Sequence, residues 1–285
     1  MNGHSYPASL ADIPQWVREN RTTTLEGNIR FMEFVILNSI ASSSATENGM
    51  VLKGGNALRF AYQSPRSTKD LDFSVAAADI PDNADRIRSL LNDALRFAER
   101  RFNVKAKCQR VKRNPSSPQA TLPTYDISVG YQFPSDAYFH SFEDRNVPTV
   151  IPIEVSFNDL VCETCRWSGV ESLRVCSLED ILAEKLRALL QQKTRNRNRY
   201  QDVYDIAKNM RQSVIDRSKI GSYLQRKAQV RDIEVRKSSF DNVIRDMAAL
   251  EYDKRIHEEA PHDFVPFEDA WKEVLSLVQS LDIPD

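Results

Sequence analysis

No stretch of this 285-residue chain approaches the roughly 20 consecutive apolar residues that a membrane span requires. The opening MNGHSYPASLADIPQW has neither a basic n-region nor an apolar h-region, so no signal peptide and a cytoplasmic setting are expected. Four cysteines (Cys108, Cys162, Cys165, Cys176) do not make a disulfide scaffold at this length. Cys162 and Cys165 have the spacing of a zinc ribbon or redox pair. A second pair is missing, however, and the four histidines (His4, His140, His257, His262) are scattered, so two ordinary thiols are expected. An excess of one charge is missing too: the net charge is −1, and a nucleic-acid partner would have to be held by local patches. No G-x-x-x-x-G-K-S/T loop and no G-x-S-x-G elbow is present, which removes the P-loop and α/β-hydrolase readings. Internal repeats and low-complexity tracts are absent.

What remains is ordinary globular material, 41% apolar and 28% charged, long enough for one large domain or two modest ones. Helical spacing of Leu25, Ile29, Met32, Ile36 and Ile40 predicts a helix over 18–41. A short buried strand over 50–53 runs into Gly54-Gly55 and a helix over 56–63. Leu71, Phe73 and Val75 alternate with polar residues, as in a strand with one buried face. A helix over 80–102, a basic strand over 103–113, a loop over 115–123 and strands over 125–133 and 150–157 follow. From Ser177 helical patterns dominate, over 178–193, 200–211, 216–229, 237–249 and 266–281. The expected organisation is an α/β domain over 1–170 and a helical domain over 171–285.

Side chains alternate across a strand, so Asp70 and Asp72 point the same way while Leu71 and Phe73 point into the core. Adjacent carboxylates repel unless a cation offsets the repulsion, and Mg²⁺ is bound by one or two such groups together with substrate phosphates and water. Gly54-Gly55 lies where a strand becomes a helix, so the backbone can approach a phosphate closely. Together these features suit a nucleoside triphosphate and its metal. The plain alternative is a turn with two solvent-facing aspartates on an edge strand.

In the helical half, Ser177 is a good N-cap for a helix whose apolar stripe is Leu178, Ile181, Leu182, Leu186 and Leu189. Lys185 falls on that stripe, whereas Arg187 is expected to point away. Such a lysine either snorkels outward or aims its ammonium across a cleft at phosphate oxygens. In the next helix Asp202 borders the stripe of Val203, Ile206, Ala207 and Met210, and Asp205 is expected nearer solvent. A carboxylate at a core edge needs a partner, such as Lys185 or a bound ribose or base.

The string K-G-G-N-A-L-R-(x₆)-R-S-T-K-D-L-D-F, residues 53–73, resembles the first motif of the AbiEii/AbiGii-type nucleotidyltransferase toxins, members of the DNA polymerase β-like superfamily. Asn56 stands where that family usually has Thr. E-K-L-R-A-L-L and R-x-x-D-V-Y-D-I in the helical half resemble its later motifs. The resemblance implies an α/β (α+β) polymerase β-like core with a helical C-terminal lobe. It also implies Mg²⁺ or Mn²⁺ at Asp70 and Asp72, and an NTP bound by Gly54, Gly55, Asn56, Arg66, Thr68, Lys69 and Asp205. The essential lysine and aspartate map onto Lys185 and Asp202, with Asp205 as runner-up. A third metal carboxylate is usual in the superfamily; Glu154 is the first candidate and Asp126 the next. The resemblance further implies a toxin with a cognate antitoxin, adding nucleotides to an RNA acceptor, tRNA 3′ ends first, to block translation.

Arg195, Arg197 and Arg199 occur in a stretch without acids between the two motif helices, and residues 96–113 are also rich in bases. Charge runs are commonly solvated faces. Beside an active site the three arginines would instead offer forks for an RNA backbone. The same parts could serve a protein-modifying transferase or a non-catalytic nucleotide-binding module.

Overall fold

The computed structural model describes residues 6–76, 80–170 and 173–285. The chain divides into two compact units. The first comprises Met1–Ala61, Lys69–Asp159 and Cys165–Val175. It is built on strands β1 (Met50–Lys53), β2 (Leu71–Val75), β3 (Lys105–Asn114), β4 (Thr124–Gln132) and β5 (Val150–Ser156), with the short β6 (Thr164–Arg166) and β7 (Arg174–Cys176) at its boundary. The sheet runs β3-β4-β5-β2-β1-β7-β6. β2 pairs β5 and β1 pairs β7 in parallel, while β1/β2, β3/β4 and β4/β5 are antiparallel.

Cross-strand register sorts the side chains into rows. Leu52, Phe73, Val155 and Tyr125 form one apolar row, and Leu71, Ile153 and Ile127 another; all are buried. These rows share one face, where α2 (Thr24–Ala41) and α4 (Ala84–Phe102) pack. The stripe Ile87, Leu91, Leu95 and Ala98 of α4 explains that packing. The intervening rows are polar and share the opposite face, as strand alternation requires.

The helix expected over 18–41 is two helices, α1 (Ile13–Glu19) and α2. Arg21 at φ 50 breaks the first, and the Thr23 side chain accepts from the Glu26 backbone N–H to start the second. The cap competes with helical continuity, and Leu25, expected in the core, is 64% exposed in the first turn of α2. α3 (Gly54–Tyr62) begins at the Gly-Gly pair itself.

The second unit comprises Tyr62–Thr68, Leu160–Thr164 and Cys176–Asp285. It holds α5 (Leu178–Arg195), α6 (Tyr200–Gln212), α7 (Arg217–Gln229), α8 (Asn242–Ala249), α9 (Tyr252–Glu259) and α10 (Phe267–Ser280). α5 packs on α6, α7 and α8, and α6 on α9 and α10. The helix expected over 237–249 is a 3₁₀ turn and then α8, because Asp241 caps the Ile244 backbone N–H. α9, too short to show a period, was not expected.

Candidate active site

The sequence places its chemistry in both units. In the first, register aligns Lys53 with Asp72, Asp72 with Glu154, Glu154 with Asp126 and Asp126 with Lys112. Three carboxylates thus stand side by side on consecutive strands β2, β5 and β4, on the polar face. Asp70, exposed, lies two residues before Asp72 at the start of β2. A groove of about 260 Å³ on this face is lined by Asp70, Glu154, Asp126, Ser128, Pro152 and Arg110.

Gly54 has φ +69, and a Cβ built there would meet the Asp72 Oδ2 at 2.2 Å. Glycine is required on both counts: L side chains disfavour that backbone, and the space is taken by the carboxylate. Gly54→Ala is therefore expected to cost about 1–3 kcal/mol of stability and to displace Asp72. Urea unfolding read together with transfer activity checks this; unchanged values in both would show that Asp72 has room to move.

Asn56 is fully buried; its Nδ2 donates to the Asp70 carbonyl at 2.8 Å and to Glu33 at 3.4 Å. Glu33 in turn pairs with Arg30 at 2.6 Å, both buried. In this structure Asn56 thus ties α3 and α2 to the turn that carries Asp70. Lys53 reaches Asp159 at 2.7 Å and Ser156 at 2.9 Å, so a cation already sits beside the Asp72 row. Lys69 is exposed and Thr68 half-buried; Lys69 groups with the first unit and Arg66 to Thr68 with the second.

In the second unit Lys185 Nζ lies 2.8 Å from Asp202 and 2.7 Å from Asp205. Arg66 grips Asp205 through two bonds, Nε at 2.9 Å and Nη2 at 2.8 Å, and also reaches Glu259 at 3.1 Å. Glu259, on α9, accepts from Tyr200 at 2.6 Å. Burial pushes the Asp205 carboxyl up, but Arg66 and then Lys185 outweigh it and hold it down at about 2. Burial works against the Lys185 charge, and Asp202 and then Asp205 raise it nonetheless. Lys185 is buried, as its place on the stripe requires.

Two orientations differ from expectation. Asp205 is the most enclosed member of the cluster, 1% exposed against 7% for Asp202. Arg66, distant in sequence, supplies the partner that makes its burial possible. Arg187 is also buried, satisfied by Glu184 and Gln191 one turn away on either side along α5. A helix periodicity fixes direction but not what covers it. Asp202 Oδ2 is buried with no hydrogen-bond partner among the described residues, Arg199 standing off at 3.8 Å.

Arg195 and Arg197 are exposed at the end of α5, and Arg199 is half-buried before α6. Partial burial and then Arg231, Arg187 and Arg199 depress the Arg195 pKa, which marks this corner as crowded with positive charge. The Cys162 thiol is pushed up to about 11, chiefly by burial, a poor state for nucleophilic or redox work.

The carboxylate row offers hard oxygen donors of the kind Mg²⁺ takes. Among the described residues no group of three or more His, Cys, Asp or Glu side chains converges as a metal cage. Asp70, Asp72 and Glu154 are the side chains of this face that could hold such a cation, with phosphate oxygens and water completing its shell.

The sequence profile of the family described as nucleotidyl transferase AbiEii toxin, type IV TA system, matches residues 35–276. The chain belongs to the AbiEii family. That match spans β1 to α10, so it includes both the carboxylate row and the Lys185 cluster. That family is one of nucleotidyl transferase toxins of type IV toxin–antitoxin systems. The mixed seven-stranded sheet accords with such a fold. No curated protein matches the sequence. Two solved Helicobacter pylori structures are similar at 14% identity. JHP933 has a TM-score of 0.47, with 88% of this chain and 89% of that chain covered. A "putative nucleotidyltransferase" has a TM-score of 0.43, with 88% and 92% covered. No described helix of this AbiEii chain is long and apolar enough to cross a membrane.

Glu33, Arg30 and Glu259 were not expected at a site. Glu33 alone left a local signal, an acid within an otherwise apolar stretch of α2. Glu259 left none, because its partners lie about 60 and 190 residues away.

Proposed function

We propose that this AbiEii-family chain is a Mg²⁺-dependent transferase that moves a nucleotide from an NTP onto RNA, at the 3′ end of tRNA. The observation that carries the reading is the row Asp72–Glu154–Asp126 abutting Gly54 at the start of α3. When bound, the metal neutralises triphosphate charge and lowers the pKa of the attacking hydroxyl. Asp70 and Asp72 would hold it, and Gly54 and Gly55 leave room for phosphates beside the first backbone N–H groups of α3. The acceptor oxygen bonds the α-phosphorus as the bridge to the β-phosphorus breaks. Pyrophosphate leaves with that electron pair, and the hydroxyl proton passes to a carboxylate of the row. Family resemblance makes a lysine and an aspartate essential, here Lys185 and Asp202; by their chemistry Lys185 is suited to phosphate charge and Asp202 to a bound nucleoside. Asp202 Oδ2, which accepts no hydrogen bond among the described residues and has Arg199 at 3.8 Å, is a ready acceptor for a ribose hydroxyl or base amine. Arg195, Arg197 and Arg199 support an RNA acceptor by their crowded charge. The cognate antitoxin is the expected regulatory partner.

The test is incubation with each labelled NTP and total RNA, with Mg²⁺ or with EDTA. Label is expected on RNA, with metal only. In parallel, nucleotide at about a hundred times its Kd is expected to stabilise the fold by about 2.7 kcal/mol when metal is present. Label confined to protein bands would replace the RNA acceptor with a protein one. An identical melting shift in EDTA would overturn the metal assignment.

A further inference from the structure

A β-bulge on β3 carries two cations to the carboxylate face. Cys108 pairs with Val129, but the next register partner is Arg110 with Ser128, so Gln109 is the extra residue. The bulge keeps Cys108 and Val111, partners of Val129 and Ile127, on the apolar face. It places Arg110 and Lys112 opposite Ser128 and Asp126, on the same face as Glu154 and Asp72. Without it, one of these two sets would point to the wrong side, because side chains alternate with period two. The bulge is anchored: Gln109 Oε1 accepts from the Val147 backbone N–H at 3.1 Å, and its amide lies over Gly130, where a Cβ would meet Nε2 at 1.4 Å.

Other cations of this face are occupied. Lys107 donates to the Phe142 and Glu143 carbonyls at 2.8 and 2.7 Å, and Lys53 is held by Asp159. Arg110 and Lys112 are exposed and make no ion pair or hydrogen bond to a side chain among the described residues. Arg110 also lines the groove that Asp70, Asp126 and Glu154 share.

Strands are about 4.8 Å apart, so β3, three places from β2, lies roughly 14 Å across the sheet from Asp72. A triphosphate held at Asp72 and Gly54 keeps its phosphates on the β1–β2 side. Its sugar and base carry none, so an anion at β3 belongs to a second molecule. We propose that Arg110 and Lys112 bind the phosphodiester backbone of the acceptor strand, just inside its 3′ end, so that the terminal hydroxyl reaches the carboxylates through the groove. This rests on the reading of the protein as an RNA-directed transferase. It adds a docking site in the first unit, separate from the arginines of 195–199.

Cations on an edge strand also deter pairing between sheets. That role alone predicts no change in RNA binding, which makes the two separable. The test compares the full chain with Arg110→Gln/Lys112→Gln, using a 5′-fluorescein RNA with a free 3′-hydroxyl, binding titrated at several salt concentrations without NTP. The double variant is expected to bind this RNA several-fold more weakly. The slope of log affinity against log salt is expected to flatten by about 1.4, at roughly 0.7 per single-strand phosphate contact. The KM for RNA should rise while metal-dependent NTP binding and the melting temperature stay at wild-type values. Wild-type RNA affinity and slope in a double variant, when the wild type still labels RNA, would overturn this site and leave the transferase reading standing. A wild type that labels only protein would overturn both.

Discussion

Asp72→Ala is expected to lower nucleotide transfer by roughly two to three orders of magnitude or more, the scale set by losing one preorganised electrostatic contact to a transition state. Asp72 lies between Lys53 and Glu154 in the row and against Gly54, so its carboxylate is central to every proposed contact of the triphosphate end. Its apolar neighbours Leu71 and Phe73 face the other way, so no core volume is lost and the unfolding midpoint should stay near the wild-type value. The same assay orders the third carboxylate. Glu154→Ala is expected to cost more than Asp126→Ala, because Glu154 is the direct neighbour of Asp72 and Asp126 is one strand further. Transfer at the wild-type rate by a folded Asp72→Ala protein would remove the carboxylate row from the mechanism. Equal losses for Glu154 and Asp126 would mean that proximity in register does not set the role.

The second large effect is on stability. Asp205→Ala is expected to destabilise the protein by about 3–5 kcal/mol, the penalty for removing one partner of a buried charge pair. The loss is large because two cations, Arg66 and Lys185, are left without their shared acceptor, and Arg66 is only 5% exposed. Urea unfolding at neutral pH measures it; a change below about 1 kcal/mol would show that water or Glu259 replaces the carboxylate. The same carboxyl gives the pH dependence its sign. Its folded pKa, about 2, lies below the unfolded value of about 3.9, so its contribution is complete above about pH 4. That contribution drains away as pH falls from about 4 toward 2. In Asp205→Asn this part of the acid sensitivity should be missing, and urea midpoints at pH 5 and pH 3 against the wild type would show it.

Local chemistry was legible wherever a period or a motif stated it. The polar–apolar alternation of Asp70 to Val75 sent the carboxylates away from the core, and the stripe of α5 buried Lys185. The glycines at 54 and 55 marked the turn from strand to helix, and the motif strings pointed to the family that the profile over 35–276 shows. The misses differ in cause. Asp205 looked solvent-facing because it lies off the apolar stripe of its helix; Arg66, which arrives from a distant part of the chain, lets it be buried. Leu25 looked like core because its spacing is helical, yet Thr23 restarts the helix and turns that residue outward.

Residue types, alternation and the two motif helices were therefore determined by the sequence itself, since each depends on neighbours within a few positions. Which carboxylates share a row was decided only in three dimensions. Asp72, Glu154 and Asp126 become neighbours through the pairing of β2, β5 and β4, and Arg110 and Lys112 join their face only because one residue, Gln109, is left unpaired. Strand order and register arise from packing the whole apolar face at once, and a shift of one residue would turn every side chain of a strand over.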